Sequence, residues 1–100
     1  PSTVFGTRLR DAALLIKAEY GLEVGTIDFG GWDTHVGQGN GNPLGRQSRL
    51  LAELDQGLSA LLTDLGPAAS RVTVLVMTEF GRTLAQNANA GTDHGNAAAW

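Results

Sequence analysis

Leu50, Leu51, Leu54, Leu58, Leu61, Leu62 and Leu65 recur at spacings of three and four, and the run stops at Gly66-Pro67. That period places them on one stripe of an α-helix over 46–65, and such a stripe must be buried against something. A short polar connector then leads to Val72-Thr-Val-Leu-Val-Met-Thr78, an apolar and β-branched run. Runs of this kind read as strands covered on both faces, as in parallel sheets. A buried helix handing over to a doubly covered strand leaves few architectures, and a parallel α/β sheet comes first among them.

The segment upstream repeats the pattern. Leu9, Ala12, Ala13, Ile16 and Tyr20 predict a helix from Thr7 to Tyr20, with Gly21 placed to end it. Leu22–Phe29 is rich in β-formers and predicts a partly buried strand. From Gly30 to Gly45 the chain is glycine- and asparagine-rich, a long loop of the kind that is usually functional or disordered. Gly81–Gly91 predicts a second polar loop, and Asn96–Trp100 the start of another helix. The expected order is α-β-α-β, with a right-handed crossover making the two strands parallel. Loops leaving the carboxyl ends of parallel strands emerge at one edge of the sheet, where ligands bind.

Both histidines of the chain lie in such loops. Asp28-Phe-Gly-Gly-Trp-Asp33-Thr-His35 ends the first strand, and Asp33 and His35 fall on one side of an extended backbone. A carboxylate and an imidazole facing one way are material for a metal site or an acid–base pair. Thr34 points the other way and is not favoured as a nucleophile. Glu79-Phe-Gly-Arg82-Thr follows the second strand, where Glu79 either binds a metal or pairs with Arg82. The Arg82 guanidinium is suited to hold an anionic group by its fork of donors. In Thr92-Asp93-His94-Gly, His94 is the stronger ligand candidate and Asp93 a further ligand or its support. Asp28, Asp55 and Asp64 read as structural.

Composition narrows the classes. A hydrophobic share of 42%, a charged share of 17% and a formal net charge of −3 describe a globular chain with no basic patch for nucleic acid. No apolar stretch reaches the roughly 18 residues of a membrane span. The absence of cysteine excludes thiolate ligands and disulfides within these residues. A phosphate-cradling glycine fingerprint between strand and helix is missing, which removes a nucleotide-binding module. The chain begins at Pro1 and stops after a polar motif, so residues 1–100 are expected to be an internal piece of a single α/β domain.

The motifs GGWDTH, LAELDQGLSALLTDL, VTVLVMTEFGRT and GTDHG, in that order, closely resemble the uncharacterised bacterial family called DUF1501. That resemblance implies membership of the alkaline phosphatase and sulfatase superfamily. It further implies an exported, periplasmic protein, an α/β sandwich and metal ions at the carboxyl ends of the strands. In one alignment Asp33-x-His35 stands where the superfamily has Asp-x-x-x-His, Glu79-Phe-Gly where it has Asp-His-Gly, and His94 at a later histidine. In another, Thr92-Asp-His94-Gly-Asn96 matches the T-A-D-H-G-N stretch of cofactor-independent phosphoglycerate mutases. Topology favours the first, and Asp33, His35 and His94 stay in the site in both. The superfamily's nucleophile would lie N-terminal to this region.

The leading expectation is therefore part of a metal-dependent hydrolase of phosphate, sulfate or related esters on a small molecule or glycan. Asp33, His35, Glu79 and His94, with Asp93 beside them, would hold one or two ions of zinc, manganese or iron. Arg82 would stabilise charge on the transferred group. The rival expectation is a non-catalytic exported protein on a degenerate scaffold, serving surface assembly or glycan binding. The two-residue Asp-x-His spacing favours it.

Overall fold

The computed structural model describes residues 3–98. Two compact units emerge, one of Pro1–Phe29 with Glu53–Val72, the other of Gly30–Ala52 with Thr73–Trp100.

The first unit is helical. Helix α1 spans Val4–Lys17 and begins earlier than the apolar period suggested because Thr3 caps it. The Thr3 side-chain oxygen accepts from the Gly6 N–H at 3.0 Å, satisfying one of the amides a helix start leaves open. At the other end the helix stops before Tyr20, and Glu19 turns into the left-handed region at φ 55°. Helix α2 spans Arg46–Leu65, the range its leucine period predicted, and a 3-10 turn over Gly66–Arg71 follows it. Phe5, Leu9 and Ala13 of α1 and Leu61 and Leu65 of α2 form the buried core, with the Phe29 ring stacked 4.2 Å from Phe5. The stripe is narrower than its seven leucines imply, since Leu62 remains 48% exposed. Lys17 and Asp64 pair at 2.8 Å on the surface of this unit, an exposed contact of small energetic weight.

The second unit is held by turns and short ladders. Strand β1, Gly81–Arg82, pairs antiparallel with strand β2, His94–Gly95, in the register Gly81 to Gly95 and Arg82 to His94. Arg82 also exchanges both backbone hydrogen bonds with Ala97, at 2.8 and 3.1 Å. The long glycine-rich loop is tied to the later one by Gly37 N–H to Asn89 carbonyl at 3.0 Å, Gln38 N–H to Ala90 carbonyl at 2.8 Å and Thr92 N–H to Thr34 carbonyl at 3.1 Å.

This architecture corrects the expected parallel-sheet sandwich of the alkaline phosphatase kind. Among the described residues the sheet is a two-stranded antiparallel ribbon, and neither Leu22–Phe29 nor Val72–Thr78 forms a strand. The physical reason is that a strand is a pairing state as much as a residue preference. Within the described residues no segment pairs with either run, and Val74, Leu75, Val76 and Met77 are 44%, 66%, 43% and 66% exposed. Nor does a helix start at Asn96, because Ala97 is engaged in the bridge to Arg82; Ala99 and Trp100 lie outside the described residues.

Gly57 sits where α2 meets α1, and a Cβ there would lie 2.7 Å from Phe5 Cε1 and 2.8 Å from Leu9 Cδ1. Gly57→Ala gains about 1 kcal/mol of helix propensity and sets it against an overpacking cost of about 1–3 kcal/mol. The expected outcome in urea unfolding is a net loss of stability, whereas Ser59→Ala, at an exposed site on the same helix, is expected to be neutral or slightly stabilising.

Candidate metal centre

The Asp33-Thr34-His35 segment alternates as an extended chain should. Thr34 is 1% exposed, and its hydroxyl donates to Gln38 Oε1 at 3.0 Å. Thr92 donates to the same oxygen at 2.7 Å. One glutamine thus holds the two loops together beneath the surface, and Asp33 and His35 are left on the opposite, open side.

Asp33 Oδ1 is the centre of that face. His35 Nε2 and His94 Nε2 each lie 3.0 Å from it, and Arg82 Nη2 lies 2.7 Å away. Ligand atoms of Asp33, His35 and His94 all fall within 4.8 Å of one another. In a tetrahedral site with bonds near 2.0–2.1 Å, neighbouring ligand atoms stand about 3.3 Å apart. The Asp33–histidine separations are a few tenths of an ångström shorter than that edge, so a small outward movement of each ring would make room for a cation. The side chains of Asp33, His35 and His94 are 57%, 42% and 49% exposed, which leaves the outer face open to water or substrate.

The other nitrogen of His35 is also engaged. Nδ1 lies 2.9 Å from Asp93 Oδ1, and Asn87 Nδ2 donates to that same carboxylate at 3.0 Å and to the His35 carbonyl at 2.8 Å. Asn87 Oδ1 in turn accepts from the Asn89 and Gly91 amides at 2.9 and 3.0 Å. With Nδ1–H given to Asp93, the lone pair of His35 sits on Nε2 and faces the Asp33 oxygen. This carboxylate–histidine relay is how proteins orient a ligating imidazole and raise its basicity. His94 is steered differently, by stacking of its ring on Phe80 at 3.8 Å, and Arg82 Cζ lies 4.9 Å from the centroid of the same Phe80 ring. The two imidazole rings lie 4.7 Å apart.

The candidates named from sequence therefore separate into distinct places. Asp33, His35 and His94 come together. Asp93 stands behind His35 and is not among the three converging atoms. Glu79 is exposed and makes no hydrogen bond or ion pair among the described residues. Arg82 pairs with Asp33 instead, donating also to the Trp32 carbonyl at 2.8 Å and, through Nη1, to the Thr92 carbonyl. Asn87 and Gln38 were not singled out from sequence. Their only signal was the asparagine- and glycine-rich character of the loops, since an amide whose partners are backbone groups leaves no spacing to recognise.

These contacts set the charge state of the carboxylates. The hydrogen bond from His94 is the largest effect holding Asp33 below its ordinary value of 3.8; desolvation opposes it, and the Arg82 hydrogen bond adds to the lowering. His35 and then Asn87 do the same for Asp93. Hydrogen bonds to the ionised form favour it, and nearby positive charge adds to the effect.

Residues 12–100 match the profile of the family described as Protein of unknown function (DUF1501), and the chain belongs to that family. No curated protein and no solved structure matches it.

Because both carboxyls titrate lower in the folded chain than in the unfolded one, their contribution to stability is complete above 3.8 and is lost as pH falls through the lower folded values. Carboxyl NMR titration of the metal-free chain is expected to place both midpoints below 3.8, with that of Asp33 rising in Arg82→Gln. A second expectation concerns Gly91, which is buried against the His35 and Thr34 backbone so closely that a Cβ would strike the His35 carbonyl. Gly91→Ala is expected to cost about 1–3 kcal/mol and to release the Asn87 side-chain amide protons to rapid solvent exchange.

Proposed function

We propose that this chain carries the metal centre of a hydrolase acting on a phosphate, sulfate or related ester of a small molecule or glycan. The supporting observation is the convergence of Asp33 Oδ1, His35 Nε2 and His94 Nε2 on one exposed face. Three protein ligands with open positions are the pattern of catalytic rather than structural metal sites. One carboxylate oxygen and two imidazole nitrogens, without thiolate, suit zinc, manganese or iron. A divalent ion held there would act as a Lewis acid toward the ester and lower the pKa of bound water.

The residues of the chain divide the remaining work. Asp93 fixes the tautomer of His35 so that Nε2 carries the lone pair, and Asn87 fixes Asp93. Arg82 supplies a permanent positive charge beside the triad, and its fork of donors suits the oxygens of a transferred phosphoryl or sulfuryl group. Thr34 is no nucleophile, being buried and hydrogen-bonded to Gln38. The resemblance of the motifs to the phosphatase and sulfatase superfamily supports the same chemistry and an exported, periplasmic setting.

One observation favours a second reading, in which the protein is exported but non-catalytic. Arg82 Nη2 stands 2.7 Å from the very oxygen of Asp33 that a metal would take, so a guanidinium already neutralises that carboxylate.

Metal analysis of the chain after exposure to zinc, manganese or iron(II), followed by removal of loose ions, separates the two. The hydrolase reading expects near-stoichiometric uptake, its loss in His35→Ala and His94→Ala, and affinity lowered about 10–100-fold in Asp93→Asn. Failure to retain any of the three ions overturns that reading and leaves the non-catalytic one. Uptake unaffected by His35→Ala would show that the ion sits elsewhere.

A further inference from the structure

We infer that a second cleft, in the same unit as the metal centre, is a binding site for a neutral saccharide. The cleft has a volume of about 370 Å³ and is formed by the first turns of α2, the turn at Asn40 and the loop from Leu84 to Thr92. That volume falls at the lower end of the roughly 300–1,000 Å³ typical of small-molecule sites.

Its chemistry is unusual in carrying no formal charge. Side-chain amides and hydroxyls supply the polar lining, and no Asp, Glu, Lys or Arg is part of it. Several of these groups retain hydrogen-bonding capacity. Gln38 has its Oε1 filled by the Thr34 and Thr92 hydroxyls, which orients the amide and leaves the two Nε2 protons as what it offers. Gln86 Nε2 donates to Asn40 Oδ1 at 2.8 Å, leaving Gln86 Oε1 as an acceptor and Asn40 Nδ2 as a donor. The Gln47 amide and the Ser48 hydroxyl are half-buried and have no hydrogen-bond partner among the described residues.

Donors and acceptors are thus interleaved within one cleft. An anion entering it would lose hydration without meeting a counter-charge, and an apolar ligand would leave the amides unpaired. A hydroxyl both donates and accepts, so a ring bearing several of them can answer each group in turn. Leu51 and Leu84, 51% and 94% exposed, supply the apolar surface against which the C–H face of a sugar ring can lie. The cleft shares Gln38 with the two loops that carry Asp33, His35 and His94, so an occupant is also felt at Thr34 and Thr92. This inference does not rest on the metal reading, since none of the groups it uses is a candidate ligand.

The test is amide NMR of the metal-free chain, titrated with cellobiose as the neutral probe and gluconate as an anionic polyol. Saturable shifts of the Gln38, Gln47 and Gln86 side-chain amides are expected with cellobiose, and binding of gluconate at least about tenfold weaker. Gln47→Leu and Gln86→Leu are each expected to weaken cellobiose about tenfold while zinc-induced shifts of His35 and His94 stay as in the parent chain. The inference is overturned if cellobiose causes no shift at tens of millimolar, if gluconate binds as well, or if neither leucine variant weakens binding. Loss of the zinc response alone would speak against the metal centre and leave the saccharide site standing.

Discussion

Three side-chain nitrogens, from Arg82, His35 and His94, converge on a single oxygen of Asp33, and the loops of the second unit meet there. Arg82, His35 and His94 come from β1, the glycine-rich loop and β2, and all three reach this carboxylate. Without it, the Arg82 guanidinium and the His94 ring would lose the carboxylate they share, and His35 would keep only its bond to Asp93. With it, the hydrogen bond from His94, aided by that from Arg82, keeps the Asp33 carboxyl ionised. A divalent cation would alter the balance: it would compete with Arg82 for the same oxygen, leaving the guanidinium's donors available for an anion. The contact that neutralises Asp33 and the one proposed to bind substrate are therefore made by the same side chain.

The two units differ in what holds them. Phe5, Leu9, Ala13, Leu61 and Leu65, the buried apolar residues, all belong to the first. In the second, the fully buried side chain is the hydroxyl-bearing Thr34, and cohesion comes from turns, amide side chains and a two-residue ladder. Hydrogen bonds of this kind contribute about 0.5–1.5 kcal/mol each in net terms, so this unit has little reserve against local opening. Ion binding would then add directly to its folding free energy. A site with little rigidity of its own, which an ion would firm, follows from the scarcity of apolar side chains around it.

What could be read from the sequence followed the range of the interaction concerned. Helix α2 was legible to its end residues because its leucine period and Gly66-Pro67 are local signals. Helix α1 was displaced because a single side-chain cap, Thr3, decided its start. Val72–Thr78 was misjudged because the composition of a strand says nothing about whether a partner is present to pair with it. The neighbourhood of Asp33, His35 and His94 was expected from the common edge of a parallel sheet, yet the structure produces it by antiparallel pairing of β1 with β2 and by bonds between loops. Glu79 follows an apolar run in sequence and was expected at the mouth of a strand. Once that strand is not formed, nothing carries it toward the triad. Asn87, whose partners are mainly backbone groups, could not be found by spacing at all.

Sequence separation adds a constraint of timing. Asp33 and His94 are 61 positions apart, and His35 and Asp93 are 58 apart. During synthesis the chain emerges at about 5–20 residues per second, and both helices can form within a small fraction of the time needed to extend it further. The triad cannot exist until His94 has left the ribosome, so for several seconds Asp33 and His35 wait exposed without their partners. Any ion that met the chain in that interval would find two of the three candidate ligands. The last-made histidine is therefore the residue whose arrival completes the three-residue cluster.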